Sequence, residues 1–403
     1  MNAQVSAHSN SPPPERVISL GNGLPVIPER LLLAHARGQV LFIAGAGISR
    51  PAGLPDFRQL TVDVYALLDA AAHAVMTGSA DDKPGDLSGL TNQQIAEVRR
   101  FKRRDYDVAL GMLERRMDDS PSGTSRVRAA VAQVLRAVGV RPAPIHKTLM
   151  RLSNRGVASS IVTTNFDLLL QAGARKDQKM ETYTLGGIPR PGRRDDFAGI
   201  LHIHGALDRK VTRASDLVIT DQDFGEFYMH RRTVPDFIYD AARLFHLVLV
   251  GYSADDPPMR YLLNAIAADG VRFDDLKERF AFIGSEAPDP VLSEDWKGRG
   301  ITPIAYDSAN EHRALLDILN RWADFSAING KPKRVDSEIR RIVKTNRSTA
   351  SEVDRDLFDH LVRRGNASER RRLSSLASGF GATPDWLEAI LTVTSERDRE
   401  AVL

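Results

Sequence analysis

The chain has 403 residues, 42% of them apolar, which is enough for a large core and a smaller companion module. Lysine and arginine (55) nearly balance aspartate and glutamate (52), leaving a formal charge of +3, so composition argues neither for nor against a nucleic-acid partner. There is no cysteine, which excludes disulfides, a thiolate nucleophile and any Cys-ligated zinc or iron–sulfur centre.

Residues 1–26 are rich in Ser, Asn and Pro and read as a flexible N-terminal arm without the apolar run of a secretory signal. No stretch anywhere approaches the about 18–20 apolar residues that span a bilayer, so a cytoplasmic protein with no membrane partner is expected. From Ile27 an amphipathic segment runs to Gly38 and then into Val40-Leu-Phe-Ile-Ala44, which reads as helix, glycine stop and buried strand. Similar short apolar runs recur at 160–164, 201–204, 244–250, 280–283 and 301–306, separated mostly by helical patterns. Strands without polar alternation, interleaved with helices, predict an α/β domain with a parallel, Rossmann-like sheet covered by helices on both faces. Residues 60–154 read as a helical insertion with breaks at 82–88 and 119–125, and 185–197 as a loop. After Trp322, residues 330–334 look like a linker. The expected organisation is an arm (1–26), an α/β domain (27–325) and a C-terminal helical module (335–403).

The first strand opens onto Gly45-Ala46-Gly47-Ile48-Ser49, followed by Gly53-Leu54-Pro55-Asp56-Phe57-Arg58. Glycines at a strand end permit a tight turn and close approach to a ligand, and the amides beyond can cradle a pyrophosphate; two glycines also arise there for purely steric reasons. The string is neither the GxGxxG fingerprint, since Ser49-Arg50 stand where the third glycine belongs, nor a Walker loop. It resembles the first signature of the sirtuin family. That resemblance implies NAD⁺ binding, with Gly45, Ala46, Gly47 and Ser49 in the turn and Asp56, Phe57 and Arg58 closing over the nicotinamide ribose.

After the next strand stands Thr163-Thr164-Asn165-Phe166-Asp167. Small polar groups at a strand's carboxyl end point into the crevice of an open α/β sheet, although Asn165 can equally cap the helix expected near Leu168. The Thr-x-Asn-x-Asp spacing is similar to the second sirtuin signature, in which Asn and Asp contact nicotinamide and its ribose. Thr164 replaces the glutamine usual before the Asn, and Phe166 the isoleucine after it. The next run ends in His202-Ile203-His204-Gly205, where strand periodicity puts both histidines on one side. No further ligand stands at metal-binding spacing, so no metal is expected. The His-Gly pair resembles the third signature, whose histidine is the general base; a neutral imidazole suits that role, so His204 is expected to be the base and His202 a structural neighbour. Gly251-Tyr252-Ser253 is similar to the Gly-x-Ser turn that meets the adenosine ribose and phosphates, which adds Gly251 and Ser253. Tyr252 and the pair Asp255-Asp256 look like the broader SIR2-like group of bacterial proteins, and the resemblance covers about 27–322.

Deacetylating sirtuins carry four zinc-binding cysteines between the His-Gly and Gly-x-Ser elements, and a cysteine-free chain cannot build that site. In its place lies the acidic-aromatic stretch 221–228. The resemblance therefore implies an NAD⁺ glycohydrolase of the kind found in bacterial anti-phage systems, with Asn165, Asp167 and His204 catalytic and NAD⁺ as substrate. The other two readings are a zinc-free deacylase or ADP-ribosyltransferase, and a non-catalytic NAD⁺ or ADP-ribose sensor. An NAD⁺-depleting activity needs restraint, so a homo-oligomer is expected, and the resemblance implies a HerA-type ATPase partner. The basic runs at 99–104 and 370–372 read as solvated helix faces, with nucleic acid or a protein partner as alternatives that a salt dependence would separate.

Overall fold

The structure, a computed structural model, describes residues 15–78, 85–118, 125–136, 139–156, 158–176, 178, 180–192, 197–207, 217–252, 263 and 275–400. The chain divides into two compact units, residues 34–332 and the residues before 34 together with those after 332.

The larger unit is built on a parallel sheet of β3 (Val40–Ala44), β4 (Ser160–Thr163), β5 (Glu181–Tyr183), β6 (Gly199–His202), β7 (His246–Val250), β8 (Arg279–Ser285) and β9 (Thr302–Asp307). Their order across the sheet is β5-β6-β4-β3-β7-β8-β9. Without the short edge strand β5, this is the 3-2-1-4-5-6 order of a doubly wound fold, and the strand order reverses between β3 and β7. The chain is therefore α/β with a Rossmann-like sheet, as its apolar runs predict. Both faces of the sheet are covered. Leu41, Ile43, Val162, Leu201, Leu247 and Leu249 share a core with Val234, Phe237, Ile238 and Ala241 of helix α10 (Thr233–Leu244). On the other face, Phe42 and Phe282 pack against Trp322 of α12 (Ala309–Phe325), with ring centroids 5.4 and 6.5 Å apart. Burial on both sides is why these strands read as continuous apolar runs. β5 escapes a sequence reading because its three residues, Glu-Thr-Tyr, are exposed or half-buried.

The helices of the insertion begin with α2 (Phe57–Leu68) and include α3 (Ala70–Gly78), α4 (Asn92–Lys102), α5 (Tyr106–Met117), α6 (Arg126–Arg136) and α7 (Pro144–Leu152). Leu60, Val64, Tyr65, Val98, Phe101, Leu110 and Val131 form their core, which Phe166 and Leu207 from the sheet side join. In the basic run of α4, Arg100 pairs with Asp105 and Lys102 donates to the Met76 carbonyl.

The smaller unit contains an antiparallel hairpin of β1 (Val17–Ser19) and β2 (Val26–Pro28) and four helices, α13 (Pro332–Ile342), α14 (Glu352–Arg364), α15 (Ala367–Gly379) and α16 (Pro384–Glu400). Strand β1 thus falls inside the stretch read as an arm, and α13 begins inside the stretch read as a linker. No described helix is long and apolar enough to cross a membrane.

The buried Glu29 carboxylate accepts from Arg363 Nη1 at 2.6 and 2.7 Å and lies 3.1 Å from His360 Nδ1. Burial pushes this carboxyl up, but His360 and Arg363 outweigh it and hold it below the usual range. Burial also lowers His360, with Glu29 opposing. Both groups bind fewer protons folded than unfolded, so their contribution is fully present above pH 6.5 and is lost on acidification through each folded value. Replacing Glu29 by alanine removes both short bonds to the buried Arg363, leaves it only the longer 3.5 Å pairing with Glu396, and should cost this unit about 3–5 kcal/mol at neutral pH. Urea unfolding of the variant, repeated in acid, checks both the size and the shrinking difference.

Candidate active site

Three loops leave the carboxyl ends of β3, β4 and β6 and bring the predicted residues together. Ala46, Ser49, Asp56, Phe57, Thr164, Asn165, Asp167 and His204 line one cavity that opens to solvent, with Leu54, Phe166, Val218 and Phe224 among its apolar walls. The carboxyl end of a parallel sheet, beside the point where strand order reverses, is where open α/β folds place ligands.

Behind the cavity the glycines meet each other. Gly45 N–H donates to Val250 O at 2.9 Å and Gly47 N–H to Gly251 O at 3.0 Å. A Cβ on Gly45 would stand 2.7 Å from the Gly251 carbonyl, and one on Gly47 would stand 2.9 Å from Gly251 Cα. Gly251 itself has φ +76°, the left-handed region that favours glycine. These three glycines are required by the close approach of the β3 and β7 turns, so the steric reading of the Gly-x-Gly string accounts for them. Thr164 Oγ1 is 3.1 Å from the Tyr252 hydroxyl, which donates to the Ala44 carbonyl and ties the β4 loop to the same junction.

Ser49 is the centre of the polar network. Its hydroxyl donates to Asp167 Oδ2 at 2.8 Å, accepts from Asn165 Nδ2 at 3.0 Å and lies 3.2 Å from His146 Nε2. His146 Nδ1 accepts from the Ala143 amide at 3.1 Å, so the ring proton resides on Nε2 and Nε2–H donates to Ser49. One donor and two acceptor positions of the Ser49 hydroxyl are thereby filled. Burial lowers the His146 imidazole, partly offset by the charge on Asp167. The sequence reading missed His146. Its local signal is a histidine in the first turn of a helix opened by Pro144, and nothing in that string indicates a serine 97 residues upstream.

Asn165 is 7% exposed, and its Oδ1 is buried with no hydrogen-bond partner among the described residues. An unmade hydrogen bond on a buried amide costs about 1–3 kcal/mol, and such an atom in a cavity wall is an acceptor held ready for a ligand donor. Asp167, not Asn165, supports the following helix α8 (Leu169–Gly173), with Oδ1 accepting from Leu169 N–H at 2.9 Å.

β6 ends at His202, so strand periodicity does not carry on to His204. His202 is completely buried. Its Nδ1 lies 2.8 Å from the Asn165 carbonyl and its Nε2 2.7 Å from Gln171 Nε2, so both ring nitrogens are engaged in holding the Asn165 loop. His204 is 5% exposed, in the cavity wall, and burial alone pushes its pKa down to about 3. Its Nε2 lies 2.7 Å from the Tyr228 hydroxyl.

Among the described side chains predicted for the site, Arg58 sits apart from the cavity walls. Asp56 lines the cavity and also caps α2, its Oδ1 accepting from Gln59 N–H at 2.8 Å, whereas Arg58 stacks its guanidinium 5.5 Å from the Phe101 ring centroid. Ser253 lies outside the described residues. Among the described residues no group of three or more His, Asp or Glu side chains is placed to hold a metal ion.

The SIR2-like domain family matches residues 159–304. An uncharacterized protein, y4cA, of Sinorhizobium fredii is 29% identical over 361 residues, which cover 84% of this chain and 28% of that protein. An NAD-dependent protein deacylase 1 of Pseudomonas aeruginosa is 29% identical over 176 residues, 44% of this chain and 45% of that one. The chain thus spans less than half the length of either relative. Among solved structures, a Sir2 homolog–NAD complex aligns with 75% of this chain and 98% of its own at 14% identity, with a TM-score of 0.35, too low to carry an argument. Residues 159–304, which include Asn165, Asp167 and His204, are therefore similar to the SIR2-like domain.

Proposed function

We propose that the chain is an NAD⁺ glycohydrolase that breaks the nicotinamide–ribose bond and gives nicotinamide and ADP-ribose. The observation that carries this reading is the buried, unpartnered Oδ1 of Asn165, set in one cavity with Ser49, Asp167 and His204. Asn165 Oδ1 is an acceptor for a carboxamide N–H or a ribose hydroxyl, and Asp167 carries negative charge for the cationic ribose that develops as the bond opens. Phe57, Phe166 and Phe224 exclude bulk water from that carbon. Nicotinamide leaves with the bonding electron pair, water adds its oxygen to C1′, and the released proton goes to His204. Water attacking a cation needs little deprotonation beforehand, which suits a base as weak as a buried imidazole.

The SIR2-like match supports NAD⁺-dependent chemistry in general. The absence of cysteine supports water over an acyl-lysine as acceptor, because the Cys₄ zinc module of deacetylating sirtuins cannot form. We further propose that the activity serves as an NAD⁺-depleting effector in the cytoplasm, in anti-phage defence, restrained by self-assembly or by a HerA-type ATPase.

Cleavage in heavy-oxygen water tests the acceptor. ADP-ribose carrying one heavy oxygen is the expected product; unlabelled ADP-ribose, or nicotinamide release only in the presence of an acylated peptide, would overturn the hydrolytic reading. Ser49→Ala removes the hydroxyl that Asn165, Asp167 and His146 share, and should lower kcat by about 10- to 100-fold, measured at saturating NAD⁺ on protein whose melting shows it folded.

A further inference from the structure

The glycohydrolase reading gives His204 a task without saying which ring nitrogen performs it, and the following inference rests on that reading. His204 Nε2 lies 2.7 Å from the Tyr228 hydroxyl, and the ring is flanked by Phe224 edge-on at 5.5 Å between centroids and by Tyr228 at 5.9 Å. Each imidazole nitrogen makes one in-plane hydrogen bond. With Nε2 engaged, Nδ1 is the nitrogen left to meet a ligand.

The support behind Tyr228 is built with care. Tyr228 sits in a π turn, Gly225–His230, directly after α9 (Asp221–Phe224), and such turns gather at functional sites. Asp223 anchors α9: Arg128 Nη2 of α6 donates to both its oxygens at 2.7 and 2.8 Å, while the amides of Ile219 and Thr220 donate to Oδ2. Arg128 Nη1 also donates to the Leu217 carbonyl at 2.6 Å. Arg115 of α5 pairs with Asp221 at 3.0 Å, and that carboxylate lies against Gly111, where a Cβ would stand 2.0 Å from Asp221 Oδ1 and displace it. The helical insertion therefore fixes the segment that carries Phe224 and Tyr228 to His204.

We infer that Tyr228 is the positioning residue of His204: its oxygen accepts from Nε2–H, which holds the ring in one orientation and one tautomer and leaves the Nδ1 lone pair for the proton released during cleavage. The arrangement has the logic of a base oriented through its second nitrogen. Phenylalanine at 228 keeps the ring contacts and removes only the oxygen. Nε2–H is then buried without an acceptor, and the tautomer that moves the proton to Nδ1 gains population.

The test is nitrogen NMR of the full chain labelled at histidine, with His204→Gln assigning the signal. The wild type is expected to be protonated at Nε2 alone at neutral pH. Tyr228→Phe should shift His204 towards protonation at Nδ1, with kcat for NAD⁺ cleavage lowered about tenfold and KM little changed. A wild-type His204 protonated at Nδ1, or a Tyr228→Phe spectrum identical to wild type, overturns the inference. The wild-type tautomer decides the question even if the variant does not fold. A wild type that cleaves no NAD⁺ yet shows the expected tautomer and shift supports the pairing and counts against the glycohydrolase reading alone.

Discussion

Replacing His204 by alanine is expected to reduce NAD⁺ cleavage by roughly 100- to 10,000-fold while leaving the chain folded. The imidazole is a wall of the cavity, and among the described residues its side-chain bond is to Tyr228. Its loss removes the nitrogen that takes the proton when water adds to C1′ and opens the space between Phe224 and Tyr228 to solvent. The effect should fall on kcat, because a neutral imidazole contributes little to holding an extended dinucleotide. Burial alone holds His204 down to about 3, so the ring is already neutral across pH 5–8, the range in which an unperturbed histidine titrates. The wild-type rate should accordingly show no acid limb due to His204 in that range. Chromatographic assay of nicotinamide across pH measures both effects. A His204→Ala chain with near wild-type kcat would remove this residue from the chemistry.

Asn165→Ala should lower cleavage by roughly 100- to 1,000-fold, the scale on which a single preorganised polar group at a reacting centre acts. Two losses combine. The free Oδ1 disappears from the cavity, and Ser49 loses the Nδ2–H that helps to fix its hydroxyl towards Asp167. The wild-type amide carries an unmade hydrogen bond in the absence of ligand, so its removal should cost the fold little or raise the melting temperature slightly. Loss of activity together with unchanged or increased stability is the signature of a group held for a ligand. Loss of both would indicate that Asn165 serves mainly to build the loop.

Much of this arrangement is legible in the chain because it is local. The strand runs at 40–44, 160–163 and 246–250 are apolar on both faces and announce a covered parallel sheet, and the turns that follow them carry Ser49, Asn165 and Asp167 within a few residues of each strand end. His204 is found for the same reason. The roles of Gly45, Gly47 and Gly251 are less legible: spacing alone does not distinguish a phosphate cradle from two turns packed backbone to backbone, and the contacts among the three support packing. His146 is silent in sequence because it acts across a long separation, on Ser49; the acidic-aromatic stretch 221–228 stands out, but nothing in it shows that Tyr228 meets His204. Arg58, which the Asp-Phe-Arg string implies as a ribose contact, places its guanidinium over the Phe101 ring. The hairpin of β1 and β2 was hidden for a different reason, since three-residue strands beside Ser, Gly and Pro leave no periodicity to read.

The central claim is tested most directly by incubating the purified chain with NAD⁺ and no peptide, then separating the products by chromatography beside the Asn165→Ala and His204→Ala proteins. The account predicts nicotinamide and ADP-ribose in equal amounts from the wild type and almost none from either variant. NAD⁺ that remains intact with the wild type, alone and with its assembly partner present, or equal product from all three proteins, would contradict it.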